Sequence, residues 1–408
     1  MLALSRRKIT LPRKFIRQII SLAIKHKLSQ GGYVKKFEER FAAYIGVNNA
    51  ITVSSGTAAL ALILETLVLN KGDEIILPAY TFPSIPSCIK ALGFLPRFVD
   101  IDPRDDNLDI SEIKKILNNK TKVIIATHIF GKPCNIMGIL ELAKERGIFV
   151  IEDCAHAIGS EYDGRKLGSF GDASFFSFSL TKPFNTFNGG MIVCNDHVLA
   201  GNIRAKTEKL PALAKFKLLR NIAVAYFLEF LTKPVIFTIS IYPVLLMLSF
   251  MNKDLISLYE KSFKKLIFLE LKRSKFSNLQ AVAGLRVLDH YEFIKKERIK
   301  KISLFNELCR KYQLKRLVCE DNKINTIFPY FYVIKSSYKD MIVKELLRKG
   351  VDTGKYVMRN CGKLFDSVNS YPNTVAAHND SLQIPVEYCN IKMMLSIVLI
   401  LKKYFKDK

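Results

Sequence analysis

The sequence predicts an α/β protein with a large, mostly parallel sheet, followed by a smaller α+β region toward the carboxyl end. Short apolar runs alternate with helical patterns between residues 50 and 151. Strands that are apolar throughout are typical of parallel sheets covered by helices on both faces. A chain of 408 residues, of which 49% are hydrophobic, can fill the cores of two or three domains.

Helical periodicity and apolar runs place the elements of the first half of the chain. Helices are predicted at residues 14–28, 34–44, 83–92, 110–117 and 136–146. Strands are predicted at residues 50–53, 74–77, 97–100, 123–126 and 149–151. The first helix mixes apolar and basic residues, so it fits a surface helix as well as a helix that binds a membrane or a partner.

The second half of the chain predicts a smaller α+β unit. A long helix covers residues 278–311, an alternating strand covers 327–334, and helices follow at 340–349 and 391–405. We therefore expect three parts: a large α/β domain at residues 1–207, a hydrophobic insertion at 208–262, and a small α+β domain at 263–408.

Three features of the large domain suggest a ligand site. Ser55-Gly56-Thr57 joins a strand to a helix, which can present free backbone amides to a phosphate, although a plain N-capped turn fits equally well. Asp153 ends one predicted strand and Lys182 follows another. Ligands of such sheets lie at the carboxyl ends of the strands. A lone lysine there is often solvated, however, and an aspartate is often a cap.

These groups match the needs of pyridoxal 5'-phosphate (PLP). A lysine holds this cofactor covalently, an acid keeps its ring nitrogen protonated, and backbone amides at the start of a helix bind its phosphate. The chain offers one candidate for each role, but the pattern alone leaves the structural alternatives open.

The hydrophobic block at residues 218–251 has no counterpart in the rest of the chain. Val235–Met251 contains no charged residue, yet this run is interrupted by Pro243 and is shorter than the roughly 20 apolar residues of a spanning helix. Basic residues flank the block. It fits a hairpin resting on an anionic membrane surface or a helical pair in a dimer interface, and we favour the membrane surface.

Composition narrows the partners and the compartment. Lys and Arg number 63 against 37 Asp and Glu, which gives a net charge of +26 and favours anionic partners. No helix-turn-helix or aromatic-basic motif is evident, so nucleic acid is not predicted. The eight cysteines show no zinc-like spacing, so no metal site is predicted. Because no secretory signal is apparent, we expect a cytoplasmic protein, at the inner face of the membrane if the block binds lipid.

A series of ordered motifs gives the chain a specific resemblance. They run from about residue 31 to 196 and resume near 271. The motifs are Phe37-Glu38, Ser55-Gly56-Thr57-Ala58-Ala59-Leu60, Pro78-Ala79-Tyr80-Thr81-Phe82, Asp100-Ile101-Asp102, His128-Ile129-Phe130-Gly131, Glu152-Asp153-Cys154-Ala155-His156-Ala157, Gly171-Asp172, Phe176-Ser177-Phe178, Lys182 and Gly189-Gly190. The chain thereby resembles the DegT/StrS family of sugar aminotransferases, PLP enzymes with the type I, aspartate aminotransferase fold.

The resemblance implies a role for each matching residue. Lys182 would anchor PLP and carry the proton between substrate and cofactor, and Asp153 would hold the pyridine nitrogen. His156 would lie near the ring hydroxyl, and Phe82 would stack on the ring. The phosphate would be bound by Gly56, Thr57 and Ser177. An amino acid, glutamate in most of the family, would donate the amine to a nucleotide-linked keto-sugar, and the enzyme would be a homodimer.

The sequence departs from the family at three places near the expected site. Phe187-Asn188 replaces a usual Gly-Glu, Arg273-Ser274-Lys275-Phe276 replaces Asn-Tyr-Arg-Met, and Lys355-Tyr356 replaces a His-Tyr pair. These changes bear on the substrate more than on the cofactor. They leave one alternative, a catalytically lapsed, membrane-associated family member that acts as a scaffold or regulator in surface-glycan assembly.

Overall fold

The computed structural model describes residues 2–7, 9, 11, 15–24, 27–29, 31–251, 271–317, 325–355, 358–366 and 369–405. Its strands are β1 Asn49–Val53, β2 Glu74–Pro78, β3 Tyr80–Thr81, β4 Leu95–Val99, β5 Thr121–Thr127, β6 Phe149–Asp153, β7 Glu161–Tyr162, β8 Arg165–Lys166, β9 Ala173–Ser177, β10 Gly190–Cys194, β11 Asn325–Thr326, β12 Tyr332–Lys335, β13 Gly354–Lys355, β14 Arg359–Asn360 and β15 Ser381–Ile384.

The described α-helices occur both in the part of the chain that forms the large sheet and in the carboxyl-terminal half. They are α1 Phe15–Ile24, α2 Tyr33–Ile45, α3 Gly56–Thr66, α4 Ser84–Ala91, α5 Ile110–Ile116, α6 Ile136–Arg146, α7 His197–Glu208, α8 Lys215–Leu231, α9 Pro234–Ile239, α10 Ile241–Phe250, α11 Asn278–Lys311, α12 Lys339–Arg348, α13 Cys361–Phe365, α14 Pro372–Asp380 and α15 Ile391–Tyr404.

The predicted α/β fold with a large, mostly parallel sheet is confirmed. Seven strands form this sheet in the order β1-β10-β9-β6-β5-β2-β4. The five strands from β9 to β4 run parallel, and β10 and β1 add an antiparallel edge. In register, Asp153 of β6 lies opposite Thr127 of β5 and Phe175 of β9. The carboxyl ends of the central strands therefore meet at one edge, as parallel strands require.

Helix α11 joins the large sheet to the carboxyl-terminal half. It begins with a capping box in which the Ser277 hydroxyl and the Gln280 side chain each bond the other's backbone. Gly284 lets α11 approach α2 closely, since a Cβ at this position would lie 2.5 Å from the Phe37 ring. Helices α12 and α15 then pack against the three-stranded sheet β12-β15-β13.

The strand predicted at residues 327–334 is wrong in its first half. Only Tyr332–Lys335 forms a strand, whereas residues 327–331 have no regular structure. Pro329 cannot donate to a ladder, and its neighbours bond to the large domain: the amide of Phe328 donates to Ser160 Oγ (2.9 Å), and that of Tyr330 donates to the Phe130 carbonyl (2.9 Å). The segment therefore crosses the large domain and brings aromatic side chains to the end of its sheet.

The amino-terminal segment is held on the carboxyl-terminal half. Leu4 pairs with Val351 in a parallel bridge, and the Arg6 guanidinium binds both carboxylate oxygens of Asp352 at 2.6 to 2.9 Å. The side-chain amide of Gln383 donates to the Arg6 carbonyl (3.2 Å). These contacts fix the backbone up to Arg7.

The hydrophobic block forms the three helices α8 to α10. Helix α8 buries Leu218, Ile222 and Ala225, while α10 has no charged residue and no buried one. A helix that is apolar on all sides is ordinarily covered. Among the described helices, none is both apolar enough and long enough to cross a membrane.

Seven cysteines lie within the described part of the chain, and all are free thiols in the core. Burial raises the pKa of the thiols of Cys88, Cys154, Cys309 and Cys389 to about 12. These thiols are therefore protonated at neutral pH, as expected of packing residues.

Candidate functional site

Asp153 is a buried acid at the end of β6. Its side chain is 6% exposed, and its Oδ1 accepts a hydrogen bond from the amide of Ala155 (3.0 Å). Burial raises the pKa of the Asp153 carboxyl, while the Ala155 amide and the charge of Lys182 pull the pKa down. Asp153 thus combines a strand end with a nearby cation, as the sequence predicted.

Lys182 lies in the turn after β9, where its amide donates to the Ser179 carbonyl (2.9 Å). Its amine lies 4.4 Å from the centre of the Tyr330 ring. Burial lowers the pKa of Lys182 to about 7; the Asp153 carboxylate opposes this shift and the charge of Arg7 adds to it. Much of the amine is therefore neutral at physiological pH, which is the form that attacks a carbonyl carbon.

Aromatic rings line the site on the side of His156. The imidazole stacks on Tyr330, with ring centroids 4.4 Å apart, and Tyr330 lies 3.9 Å from Phe331. The Tyr330 hydroxyl donates to the Thr181 carbonyl (3.1 Å), next to Lys182. Burial, with the charges of Lys182 and Arg7, lowers the pKa of His156 well below its usual value, so this ring is neutral.

The start of α3 supplies backbone donors. The Ser55 hydroxyl caps the helix by accepting from the Ala58 amide (3.1 Å), whereas the amides of Gly56 and Thr57 donate to no described residue. Gly56 lies against Ser177, the last residue of β9, since a Cβ on Gly56 would stand 3.1 Å from the Ser177 Cβ. The amides of Gly56 and Thr57 and the side chain of Ser177, the three predicted phosphate-binding residues, therefore lie together at the N-terminus of α3.

A small, partly open pocket connects several of these groups. Its lining residues are Ala155, His156, Ile158, Ser177, Lys182, Pro183, Phe184, Tyr291, Phe328 and Tyr330. The sequence pattern did not identify Tyr330 as a site residue, because it was assigned to a regular strand far along the chain.

Phe82 lies at the edge of this region. Its side chain is 42% exposed and it precedes α4 by two residues. Ser84 of α4 bonds to the Thr57 hydroxyl (3.1 Å), which brings the start of α4 beside the start of α3. A partly exposed aromatic ring thereby lies near the predicted phosphate-binding turn.

Behind Asp153, two buried side chains form a closed polar cluster. His128 accepts from the Cys134 amide through Nδ1 (3.1 Å), so its proton lies on Nε2, which donates to Glu152 (2.9 Å). Glu152 also accepts from the amides of Gly168, Phe170 and Gly171 and from the Ser174 hydroxyl. The His128 amide donates to the Asp153 carbonyl (3.2 Å), so this cluster braces the strand end that carries the acid.

The sequence departure at Phe187-Asn188 serves packing. Both residues adopt positive φ angles, 60° and 79°. Phe187 is fully buried and stacks on Phe15 of α1, and its carbonyl accepts from Asn221 of α8 (3.4 Å). The side chain that replaces the family glycine therefore packs against α1 and α8.

The other two departures are ion-paired in the described chain. Arg273 bonds to Glu65 of α3 (2.6 Å), and Lys355 pairs with Asp340. Tyr356 lies outside the described residues. Arg273 is thus occupied by a carboxylate within the same chain.

The residues present fit PLP. A partly neutral lysine and a buried acid lie close enough to influence each other's charge, and free amides stand ready for a dianionic phosphate. The glycine at position 56 leaves room beside Ser177 that a side chain would fill. The groups therefore meet the three requirements of the cofactor that the motifs imply.

Comparison with curated proteins finds relatives that match somewhat less than half of the chain. GDP-perosamine synthase of Escherichia coli O157:H7 is 47% identical over 171 residues, which is 42% of this chain and 47% of that protein. A UDP-N-acetyl-3-dehydro-α-D-glucosamine 3-aminotransferase of Acidithiobacillus ferrooxidans is 38% identical over 175 residues, 43% of this chain and 47% of that protein. The chain spans about half the length of the curated relatives it matches.

Solved structures match over nearly the whole chain at lower identity, and they bear on the fold. An aminotransferase from Psychrobacter cryohalolentis aligns with a TM-score of 0.75 at 22% identity, covering 97% of this chain and 98% of that one. TlmJ, an aminotransferase from Streptoalloteichus hindustanus, aligns with a TM-score of 0.76 at 22% identity, covering 100% and 99%. The profile of the DegT/DnrJ/EryC1/StrS aminotransferase family matches residues 11–221, slightly more than half of the sequence, and the chain belongs to that family.

Proposed function

We propose that the chain is a PLP-dependent aminotransferase that transfers an amino group from an amino acid, glutamate first among the donors to test, to a nucleotide-linked keto-sugar. One observation carries this proposal: a lysine amine with a pKa of about 7 lies within electrostatic reach of a buried aspartate at the end of a parallel strand. The named activities of the relatives, GDP-perosamine synthase and a UDP-sugar 3-aminotransferase, support the sugar class.

Each site residue has a task in the proposed reaction. The neutral amine of Lys182 would hold the cofactor and, once released, take and return the substrate proton. Asp153 would keep a proton on the ring nitrogen, and bound PLP would then supply an electron sink. The neutral His156 would lie near the ring hydroxyl and Phe82 would cover the ring. Gly56, Thr57 and Ser177 would bind the phosphate.

The product class points to polysaccharide or secondary-metabolite biosynthesis, because amino sugars attached to nucleotides are activated for glycosyl transfer. A spore coat polysaccharide biosynthesis protein of Bacillus subtilis, 41% identical over 177 residues, supports this assignment. The intact pair of Lys182 and Asp153 argues against a catalytically lapsed scaffold, since a scaffold has no need of a buried acid within electrostatic reach of a half-buried amine.

The test combines spectroscopy with two half-reactions. Purified protein should bind PLP with a visible absorbance band that Lys182→Ala abolishes or shifts, and glutamate should convert the band. A panel of GDP-linked and UDP-linked keto-sugars should then restore it. A protein that takes up no PLP would eliminate the enzyme assignment and support the scaffold. A homodimer with its sites near the subunit interface, also proposed here, is tested by light scattering.

We also propose that α8 to α10, including residues 218–251, form a peripheral contact with an anionic membrane. Large apolar side chains stand in solvent there: Phe216 is 78% exposed, Phe250 70% and Ile239 71%. Basic residues surround them, and the exposed ones between the start of α8 and the start of α9 are Lys215, Lys217, Arg220 and Lys233. Two copies of so basic a surface would repel each other, whereas anionic headgroups attract it.

Vesicle sedimentation tests the membrane contact. The holoprotein should bind vesicles containing phosphatidylserine more strongly than vesicles of phosphatidylcholine alone, and Phe227→Ser with Phe250→Ser should reduce this binding. Val198→Ser, which changes an apolar residue that is 72% exposed outside the block, is the matched control. A dimer that dissociates in the double variant, without any vesicle binding by the native protein, would assign the surface to self-association instead.

A further inference from the structure

The amino-terminal segment delivers a second cation to the candidate site. Arg7 follows directly on Arg6, which is clamped to Asp352, and its guanidinium carbon lies 5.9 Å from the centre of the Phe331 ring. Phe331 packs on Tyr330, the ring over which the Lys182 amine lies. Arg7 and Lys182 therefore flank the same pair of aromatic rings.

Arg7 is available for a ligand. Its side chain is exposed, and within the described chain it forms no ion pair with a carboxylate. Its charge nevertheless reaches Lys182, His156 and Tyr330, whose protonation it influences. An arginine held in place by its neighbour, without an acid of its own, presents a fixed fork of donors suited to a carboxylate or phosphate.

We propose that Arg7 binds an anionic group of the substrate at the mouth of the site, either a carboxylate of the amino donor or a phosphate of the nucleotide. The inference rests on the proposed aminotransferase function, which requires both kinds of anion to enter. The aromatic rings of Tyr330 and Phe331 form an apolar wall beside the guanidinium, and this arrangement suits a short anionic molecule with an aliphatic stem.

The ion pair of Arg6 with Asp352 explains how the exposed Arg7 can have a defined position. The backbone on either side of Leu4 is paired with the carboxyl-terminal half, through Leu4 to Gly350 and Asp352 to Leu4. Arg6 adds its contacts to Asp352, and Gln383 bonds the Arg6 carbonyl. The loss of side-chain entropy on binding is therefore confined to Arg7 itself.

Calorimetry on the holoprotein distinguishes the two anion sources. Glutarate, which lacks an amine and cannot react, reports on the donor carboxylates, and GDP and UDP report on the nucleotide phosphates. If Arg7 binds the donor, Arg7→Gln should weaken glutarate binding roughly 10-fold to 100-fold and leave the nucleotides unchanged. If Arg7 binds a phosphate, the substitution should weaken the binding of GDP and UDP and leave the binding of glutarate unchanged. Arg7→Lys should recover part of the loss in either case.

Arg165→Gln is the matched control. Arg165 is also an exposed arginine over a phenylalanine, with its guanidinium carbon 4.3 Å from the Phe170 ring centre, and it is absent from the residues lining the pocket. The Arg165→Gln variant should bind glutarate and the nucleotides with the same affinity as the native protein. Unchanged affinity of Arg7→Gln for both probes, or a loss equal to that of Arg165→Gln, would overturn the proposal.

These binding measurements remain informative if the aminotransferase assignment fails. A holoprotein that binds glutarate through Arg7 but aminates no sugar would retain the anion site and lose the proposed reaction. Absence of binding of all probes to the native protein would overturn the anion site, whatever the fate of the reaction.

Discussion

Phe187 stacks on Phe15 with ring centroids 5.2 Å apart, and so ties the loop that carries Lys182 to the first helix of the chain. Phe187 also packs among the buried residues of α8. The loop that carries Lys182, α1 and the start of the hydrophobic block therefore share one core.

This shared core makes Phe187→Ala destabilising. Removing a fully buried phenylalanine should lower the free energy of unfolding by about 3–5 kcal/mol, measured by urea denaturation. Phe227→Ala, at an α8 position that is 59% exposed, should change it by less than about 0.5 kcal/mol. Equal effects of the two substitutions would contradict the packing role of Phe187.

Gly56→Ala should impair cofactor binding with little effect on the fold. The added Cβ would stand 3.1 Å from the Ser177 Cβ and narrow the space between the α3 amides and that hydroxyl. We expect the dissociation constant for PLP, titrated by absorbance, to rise about tenfold or more. Gly201→Ala, in α7 with open space around the new Cβ, should leave it unchanged. An unaltered affinity of Gly56→Ala for PLP would show that this turn does not bind the phosphate.

Asp153→Asn should retain PLP but slow transamination. The amide oxygen can still accept from the Ala155 amide. The charge that would stabilise a proton on the ring nitrogen of PLP is lost. We expect the glutamate half-reaction, followed by stopped-flow absorbance, to slow roughly 100-fold or more. Asp172→Asn is the control, because Asp172 also accepts from one backbone amide, that of Val150 (2.7 Å). A near-native rate in Asp153→Asn would exclude the assigned role.

Lys182 should make the cofactor-free protein less stable at low pH than the Lys182→Met variant. The folded pKa of about 7 lies below the unfolded value, so the folded state must either bury a charge or release a proton. The resulting loss of folding free energy has its full size below pH 7 and disappears as the pH rises from about 7 to 10.5. Lys182→Met should therefore be more stable by roughly 2–4 kcal/mol at pH 6. This excess should shrink at pH 9; an excess independent of pH would indicate a packing effect alone.

Local patterns in the sequence predicted most of the large domain. The apolar runs at β2, β5 and β6 and the small-residue turn before α3 are short-range signals, and each lies within a few residues of its predicted place. Asp153, Gly56 and Lys182 were predicted as site residues on similar grounds, since the carboxyl ends of parallel strands must meet. The structure brings Asp153 near Lys182 and Gly56 beside Ser177.

Residues that depend on distant parts of the chain were not predictable in this way. Tyr330 lies in a stretch that alternates like a strand, and only its contacts with Phe130 and Thr181 turn it into the site. Arg7 has no local signal, because its position depends on Asp352. The change at Phe187-Asn188 was expected to bear on the substrate, whereas the structure packs the Phe187 ring against Phe15 of α1.

The burial of the cysteines has a practical consequence for labelling. Thiols with a pKa near 12 react slowly with maleimides at neutral pH, and the seven described ones lie in the core. After Cys319, which lies outside the described residues, is changed to serine, a cysteine introduced at Phe250 should be the fastest to take up a fluorophore. An environment-sensitive dye at that single position would report the polarity around α10 in buffer and on vesicles.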